Sequence, residues 1–318
     1  MSQLQVKVIS KTAEAEDIAS FELAGIDGKP MPPFSAGSHI DVHIRDGLIR
    51  QYSLCNPPHE SHRYQIGVLR DAKSRGGSVA MHGDIKVGDV LTISEPRNHF
   101  PLTQAKRTLL LAGGIGVTPI LCMAERLAAT AADFAMHYCA RSPERTAFRD
   151  RIATSDFADR VVYHYDSGAD EQKLKLAEMI ATPDTDTHIY VCGPGGFIDH
   201  VVNTAKDKGW PSAQVHLEYF GAVPVETDGD APFDVKIASS GQVFTIPAGE
   251  TVIKILADNG VDIPVSCEQG VCGTCLTRVL DGVPDHRDLY LTDEERAAND
   301  QFTPCCSRAK STLLVLDV

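Results

Sequence analysis

The carboxy-terminal part of the chain contains the stretch Ser266-Cys-Glu-Gln-Gly-Val-Cys-Gly-Thr-Cys275. Its spacing is Cys267-x4-Cys272-x2-Cys275, and 29 residues separate Cys275 from Cys305. Four thiolates in this pattern are the ligand set of a plant-type [2Fe-2S] cluster, in which a tight loop supplies three ligands and a distant segment supplies the fourth. The stretch therefore predicts a small iron-sulfur domain at the end of the chain.

Two glycines lie inside this loop, Gly270 and Gly273. They permit positive φ and let the backbone approach the cluster, so that amide N–H groups point at the sulfurs. Structural zinc is the main alternative, but zinc ribbons usually have two separated Cys-x2-Cys pairs and this segment has one. By count alone, either Cys305 or Cys306 is the fourth ligand.

Length and composition limit what the rest of the chain can be. The 318 residues suggest two or three domains, and 43% hydrophobic with 23% charged residues is ordinary globular usage. A net charge of -13 argues against a nucleic-acid-binding surface. The amino terminus lacks the pattern of a signal peptide, and no run of about eighteen apolar residues is present, so we expect a cytoplasmic protein with no membrane partner. We also expect a monomer.

The amino-terminal third consists of short alternating stretches separated by turn residues, which predicts an antiparallel β-barrel or sandwich. The candidate strands are Ser20–Leu23, His39–Ile44, Gln51–Leu54, Tyr64–Leu69 and Val90–Ser94. After Pro101 the pattern changes to continuous apolar runs that alternate with helical segments, which is typical of a parallel α/β sheet. Its candidate elements are the strands Thr108–Leu111, Phe134–Cys139 and His188–Cys192, the helix Thr118–Ala131 and a helix from Gly196.

The segment Val223–Pro232 has the composition of an exposed linker, with two prolines, a glycine and three acidic residues. Beyond it we predict strands at Asp234–Ile237 and Val243–Ile246 and a helix at Val252–Asn259. The predicted domains are a barrel over 1–102, an α/β domain over 103–224, a linker over 225–232 and an iron-sulfur domain over 233–318.

A glycine-rich turn, Ala112-Gly-Gly-Ile-Gly-Val-Thr-Pro119, joins an apolar strand to a helix. Such a turn lets the backbone approach a pyrophosphate at a helix amino terminus, although many turns of this kind bind nothing. A second strand ends in Cys192-Gly-Pro-Gly-Gly196, at the carboxyl edge where open α/β sheets bind ligands. Without its Gly-Pro neighbours, Cys192 would be read as a core residue.

The cluster stretch, with Asp285-His-Arg-Asp288 and Ser307-Arg-Ala-Lys-Ser311 downstream, resembles the carboxy-terminal ferredoxin domain of the phthalate dioxygenase reductase and vanillate demethylase reductase family. The two glycine turns resemble the nicotinamide domain of the ferredoxin-NADP reductase superfamily. The resemblance implies a flavin barrel, an α/β nucleotide domain and an α+β β-grasp ferredoxin. It also implies that Cys305 is the fourth ligand.

The same resemblance implies the cofactors FMN and NADH and a set of residues that bind them. Arg50-Gln-Tyr-Ser53 is similar to the superfamily's flavin motif, with a guanidinium for phosphate, a ring against the isoalloxazine and a hydroxyl for its N5 or O4 edge. Cys192 and Ser53 are the candidate catalytic residues. The remaining candidates for cofactor binding are Arg50, Tyr52, Gly67, Leu69, Arg75, Gly76, Gly77, Ser78, Gly114, Gly116, Thr118, Gly193 and Phe220.

The implied function is an NADH-dependent reductase that passes electrons through FMN and the cluster to a separate terminal oxygenase, of the Rieske aromatic type. A flavin suits this task because it links hydride transfer to single-electron transfer. A ferric, flavin or cytochrome P450 reductase and a non-catalytic redox sensor are the alternatives. Arg141 and Ser142 leave NADPH open, Phe220 is equally well a core aromatic, and no histidine is assigned a catalytic role.

Overall fold

The computed structural model describes residues 3–71, 76–221, 229–265, 268–271 and 273–318. Arg75, Cys267 and Cys272, all predicted site residues, lie outside these ranges. The chain divides into two compact units, Met1–Phe220 and Gly221–Val318.

The first unit begins with a seven-stranded antiparallel sheet in the order β4-β3-β6-β1-β2-β5, with β7 paired to β3. An antiparallel bridge between Leu54 and Ile66 joins its two end strands and closes the barrel. Alternate residues of the strands, such as Phe21, Ile40 and Ile66, fill the interior. The elements are β1 (Gln3–Ala15), β2 (Ile18–Gly25), β3 (Ser38–Arg45), β4 (Leu48–Ser53), β5 (Tyr64–Leu69), α1 (Gly77–Gly83), β6 (Val90–Ser94) and β7 (Arg97–Asn98).

A five-stranded parallel sheet in the order β10-β9-β8-β11-β12 follows. Parallel neighbours need crossover connections, and helices on both faces supply them and cover the apolar central strands. The elements are β8 (Arg107–Gly113), α2 (Val117–Ala129), β9 (Asp133–Ala140), α3 (Arg149–Ala153), β10 (Val161–Tyr165), α4 (Leu176–Met179), β11 (Thr187–Gly193), α5 (Gly195–Asp207) and β12 (Val215–Tyr219).

The barrel and the parallel sheet share one hydrophobic core. Ile18, Cys55 and Phe100 from the barrel belong to the same buried cluster as Val117 and Phe148 from the α/β part. Shared burial of this kind explains why the two parts form one compact unit. The finer division at residue 102 stays a proposal.

The second unit is built on a mixed sheet in the order β14-β13-β19-β15-β17, with a small β16-β18 pair. Strands β13 and β19 are parallel, and the other pairs are antiparallel. Helix α7 begins with a capping box between Thr292 and Glu295. The elements are β13 (Phe233–Ile237), β14 (Val243–Ile246), α6 (Val252–Asp258), β15 (Thr277–Asp281), β16 (Pro284–Asp285), α7 (Asp293–Ala298), β17 (Gln301–Phe302), β18 (Arg308–Ala309) and β19 (Leu313–Leu316).

None of the helices in the described ranges combines the length and the apolar character that a membrane crossing requires.

Candidate cofactor and electron-transfer sites

Three side-chain positions from different elements meet where the barrel adjoins the parallel sheet. Ser53 ends strand β4, and its hydroxyl lies 3.4 Å from Oε2 of Glu218 on β12. Glu218 is paired in register with Cys192 on the neighbouring strand β11. The structure therefore brings together both predicted catalytic residues and adds a carboxyl group that the sequence analysis did not single out.

Burial controls the charge of this cluster. It raises the pKa of Glu218 to about 8, against a smaller lowering by the Ser53 hydroxyl. Burial, followed by the charge of Glu218, also raises the pKa of Cys192 well above that of a free thiol. At neutral pH the site is largely uncharged, which favours binding of an uncharged ring system over binding of an anion.

A candidate phosphate site is formed by Arg50, on strand β4, and the beginning of helix α1. A Cβ on Gly77 would lie 2.5 Å from Cγ of Arg50, so the arginine side chain covers the first residue of this helix. The N-cap residue, Gly76, has φ 89° and supplies no side-chain cap. A guanidinium beside uncapped first-turn amides fits a terminal phosphate. Ser78 accepts a hydrogen bond from the amide of Asp71 (3.1 Å).

Other predicted flavin residues line the same part of the barrel. Tyr52 packs against the barrel core, and burial raises the pKa of its phenol. Leu69 packs against the core that the barrel shares with the parallel sheet. A Cβ on Gly67 would lie 2.8 Å from Cγ2 of Thr118, so this glycine admits the beginning of α2. Thr118 is buried, and its hydroxyl donates to the Ile115 carbonyl (3.1 Å), which gives it a packing role in this structure.

The glycine-rich turn lies against the end of β11. A Cβ on Gly116 would lie 2.3 Å from the Cys192 carbonyl oxygen, and one on Gly193 would lie 2.9 Å from Cα of Gly113. Gly114, at φ 52°, has no atom within 4 Å of its ideal Cβ position. The turn is therefore held tightly on one side and open on the other, as a backbone cradle for a pyrophosphate requires.

Phe220 follows β12 directly, and its side chain is 41% exposed. Phe220 is therefore not a buried core residue, which was the alternative interpretation of this position. An exposed aromatic two residues after Glu218 is available to cover a planar ring, so its predicted contact with the flavin stays a proposal.

Two of the four predicted cluster ligands, Cys275 and Cys305, lie within the described ranges, and both are buried. Cys275 and Cys305 are 3% and 5% exposed, and a hydrogen bond between the two thiols raises the pKa of Cys305. Cys306 Sγ lies 3.3 Å from the Thr303 hydroxyl and 3.8 Å from that of Ser307. Buried cysteines in contact suit a shared iron-sulfur cluster, but Cys305 hydrogen-bonds Cys306 as well as Cys275, so Cys305 as the fourth ligand stays a proposal.

The cluster loop is shaped by contacts that only glycine permits. A Cβ on Gly270 would lie 2.4 Å from Cys306 Sγ, and one on Gly273 would lie 2.3 Å from the Tyr290 ring. Both residues have positive φ. The segment around Asp288 packs against this loop. The fully buried carboxylate of Asp288 accepts a hydrogen bond from the amide of Leu291 (2.7 Å), and the amide of Leu289 donates one to the Gly270 carbonyl (2.9 Å).

The fold and these sites define a class of protein, a flavin- and iron-sulfur-dependent oxidoreductase with a pyridine-nucleotide domain. Two family profiles match the chain. Residues 235–310 match the 2Fe-2S iron-sulfur cluster binding domain, and residues 97–215 match the amino-terminal domain of dimethylamine monooxygenase subunit DmmA-like proteins.

Full-length relatives agree with this class. The chain is 58% identical over 313 residues to a vanillate O-demethylase oxidoreductase of Pseudomonas putida, with 98% of each chain covered. It also matches the structure of phthalate dioxygenase reductase, described as modular for electron transfer from pyridine nucleotides to [2Fe-2S], with 41% identity and TM-score 0.78. That match covers 100% of this chain and 98% of the other.

A third match is to an intact type IV self-sufficient cytochrome P450 monooxygenase, with 38% identity and TM-score 0.87. The match covers 99% of this chain and 41% of that longer protein. The chain belongs to the phthalate dioxygenase reductase family. This membership confirms the predicted fold class and the oxidoreductase activity. It also confirms the cofactor set of the family, which is FMN, NADH and a [2Fe-2S] cluster.

Glu218 and Asp288 are the functional positions that sequence reasoning missed. Asp288 ends a quoted motif but is given no role there, and Glu218 is not singled out. An acid at the end of a strand is a usable signal only once its neighbours are known, and Glu218 meets Ser53 across 165 positions of sequence.

Proposed function

We propose that this protein is the reductase component of an oxygenase system, carrying electrons from NADH through FMN and a [2Fe-2S] cluster to a separate terminal oxygenase. The observation that carries the proposal is the convergence of Ser53, Cys192 and Glu218, where a flavin-type barrel strand meets a nucleotide-type α/β sheet. The cluster loop on the same chain supplies the exit for single electrons.

When bound, FMN accepts a hydride and releases electrons singly. The chain's own residues prepare for this chemistry. Arg50 and the first turn of α1 would hold the phosphate, and Ser53 would hold the reactive edge of the ring. The neutral thiol of Cys192 and the protonated carboxyl of Glu218 would leave room for the nicotinamide without adding charge.

The nucleotide site supports NADH over NADPH. The Ser142 hydroxyl donates a hydrogen bond to the carboxylate of Glu144, and this bond lowers the pKa of that carboxyl group. A 2'-phosphate approaching Ser142 would meet this carboxylate, whereas a ribose 2'-hydroxyl would find an acceptor. We expect kcat/KM to be clearly higher with NADH than with NADPH.

The ligand set we propose is Cys267, Cys272, Cys275 and Cys305. The acceptor is proposed to be a Rieske-type aromatic oxygenase, as the vanillate O-demethylase and phthalate dioxygenase relatives suggest. The match to a P450 monooxygenase makes a haem protein the second candidate acceptor. A monomeric, cytoplasmic protein completes the proposal, and its mass in solution tests the first of these points.

Cofactor analysis and a ligand variant test the proposal. The purified protein should release FMN and contain about one flavin, two irons and two sulfides per chain. Cys272→Ser should lose the cluster yet keep NADH-to-ferricyanide activity, because that dye takes electrons from the flavin, while cytochrome c reduction should collapse. Released FAD, bound zinc or an equal loss of both activities with FMN retained would contradict the proposed electron path.

A further inference from the structure

The side chain of Lys11, on strand β1, ends among backbone carbonyls at the end of helix α1. Its Nζ atom donates hydrogen bonds to the carbonyl oxygens of His82 (2.7 Å), Ile85 (2.8 Å) and Met81 (3.3 Å). An ammonium group has three protons to donate, so these three acceptors use its full capacity. Lys11 precedes Met81 by 70 positions, so the contact belongs to the tertiary structure.

This contact satisfies the end of a helix that has little support of its own. The last carbonyls of an α-helix have no partner within the helix, and a cation there also interacts favourably with the helix dipole. Helix α1 has seven residues, too few to be stable alone, and Gly76 at its start offers no capping side chain. The position of α1 therefore depends on contacts with the barrel, and Lys11 supplies three of them.

Aromatic contacts fix the ammonium group and the helix end together. Lys11 is paired in register with Phe21 on β2, and its Nζ atom lies 5.3 Å from the centroid of the Phe21 ring. The same ring meets that of His82 at 79°, with centroids 6.5 Å apart. His82 Nε2 donates a hydrogen bond to the Val68 carbonyl on β5 (2.9 Å). The end of α1 is thus attached to three strands of the barrel.

The beginning of the same helix is the candidate phosphate site. The side chain of Arg50 covers Gly77, the first residue of α1. Between the two ends, Ala80 and Met81 are buried in the barrel core. A helix of seven residues spans only about 10 Å, so a displacement of its end also moves its beginning. The Lys11 contacts therefore determine where the first-turn amides lie relative to Arg50.

We propose that Lys11 is a positioning residue for the phosphate of the flavin, because it caps the end of α1 and so holds the beginning of that helix beside Arg50. The inference rests on the proposed function, in which the flavin is FMN and its phosphate lies at this site. The competing explanation is that Lys11 only stabilises the barrel, which would affect flavin binding whether or not a phosphate is present.

A comparison of two flavins separates these explanations, because riboflavin carries the same ring as FMN but no phosphate. Lys11→Met removes the three donors and keeps an unbranched side chain, whereas Lys11→Arg keeps a cation with several donors. Lys7→Met, at an exposed position of the same strand, is the matched control. Each full-length protein is stripped of flavin and titrated with FMN and with riboflavin, and both dissociation constants are measured by flavin fluorescence.

We expect Lys11→Met to bind FMN about tenfold more weakly, the loss typical of hydrogen bonds to a charged group, and to bind riboflavin as the wild type does. Lys11→Arg should recover most of the FMN affinity, and Lys7→Met should match the wild type. An equal loss of affinity for both flavins, or an unchanged affinity for FMN, would overturn the inference. If the wild-type protein binds FAD or no flavin, the proposed function itself fails, which is a distinct result.

A milder variant covers poor folding of the methionine variant. The amide of Lys11→Gln still donates hydrogen bonds, so we expect a smaller loss that is again confined to FMN. Both titrations are repeated at about 1 M salt, where the Debye length is about 3 Å. A loss confined to FMN that persists there supports positioning through the helix. A loss that disappears would assign Lys11 a through-space attraction for the phosphate and overturn the positioning role.

Discussion

At the scale of single residues, burial decides which groups carry charge. Ser53, Cys192 and Glu218 form a site whose thiol is neutral and whose carboxyl group keeps its proton to about pH 8. The ordinary pKa of a glutamate is 4.5, so an exposed glutamate would be ionised well below neutral pH. The protein therefore offers hydrogen-bonding groups to a ring system at neutral pH without introducing a net charge.

Glu218→Gln should remove a pH dependence of stability. The folded pKa of about 8 lies above the ordinary value of 4.5, so between these limits the native state holds a proton that the unfolded chain has released. Wild-type stability should fall as pH rises through this window, by up to about 1.4 kcal/mol per pH unit. The variant should lack that component.

Urea unfolding at several values between pH 5 and 8 measures this effect, with both proteins saturated with FMN. The chain's single tryptophan, Trp210, is buried in the first unit and reports its unfolding by fluorescence. Glu171→Gln, at an exposed position of the same unit, is the control and should follow the wild type. Parallel pH profiles for the wild type and Glu218→Gln would refute the argument.

The adjacent cysteines should differ in effect. Cys305→Ser removes the thiol that contacts Cys275, so we expect loss of most bound iron and of the charge-transfer absorption. Cys306→Ser changes a group that lies near the Thr303 and Ser307 hydroxyls, so we expect about two irons per chain, as in the wild type. Iron and sulfide analysis decides between them, and the reverse pattern would make Cys306 the ligand.

At the scale of elements, strongly patterned segments were predictable from sequence. The strands Tyr64–Leu69, Val90–Ser94 and Val243–Ile246 have the predicted bounds, because alternation and flanking turn residues fix both ends. Strand β1 was not delimited in this way. Its register shifts between Val8 and Ser10 and again between Ala13 and Ala15, and such irregularities break the two-residue period from which a strand is recognised.

In the candidate sites too, residues marked by their sequence neighbours were predictable, and residues that depend on distant partners were not. Cys275 and the Gly116 turn carry their signal in the neighbouring residues, so sequence found them. Glu218 acquires its meaning from Cys192 on the neighbouring strand and from the Ser53 hydroxyl, which only the fold brings close. Residue types alone do not encode these pairings.

The turn before α2 should tolerate no side chain at Gly116. An added Cβ would lie 2.3–2.5 Å from the backbone of Cys192 and Gly193, so Gly116→Ala must separate this turn from β11. We expect a loss of about 1–3 kcal/mol of stability from overpacking and a raised KM for NADH. Gly83→Ala, at the end of α1 and outside the α/β sheet, meets no atom within 4 Å and serves as the control. Equal KM values in the two variants would argue against the proposed cradle.

At the scale of the whole molecule, charge is unevenly distributed. Residues 233–318 contain thirteen acidic and seven basic residues, before any cluster is counted. Like charges concentrated on one unit raise the rate at which an oppositely charged partner is met, and they also increase solubility. Salt dependence separates these roles, because only steering acts on the encounter rate.

Acceptor reduction should slow as ionic strength rises from about 0.01 to 0.15 M, where the Debye length falls from roughly 30 to 8 Å. Glu268, exposed beside the cluster loop with φ 54°, is the position to reverse, since Lys and Glu bear the same backbone strain there. Glu268→Lys should flatten the salt dependence, whereas Glu171→Lys, an equal charge change in the first unit, should not. Stopped-flow reduction of FMN by NADH is the internal control, because it does not involve the acceptor. A flat profile in the wild type, or equal slopes in both variants, would leave the acidic surface with a solubility role alone.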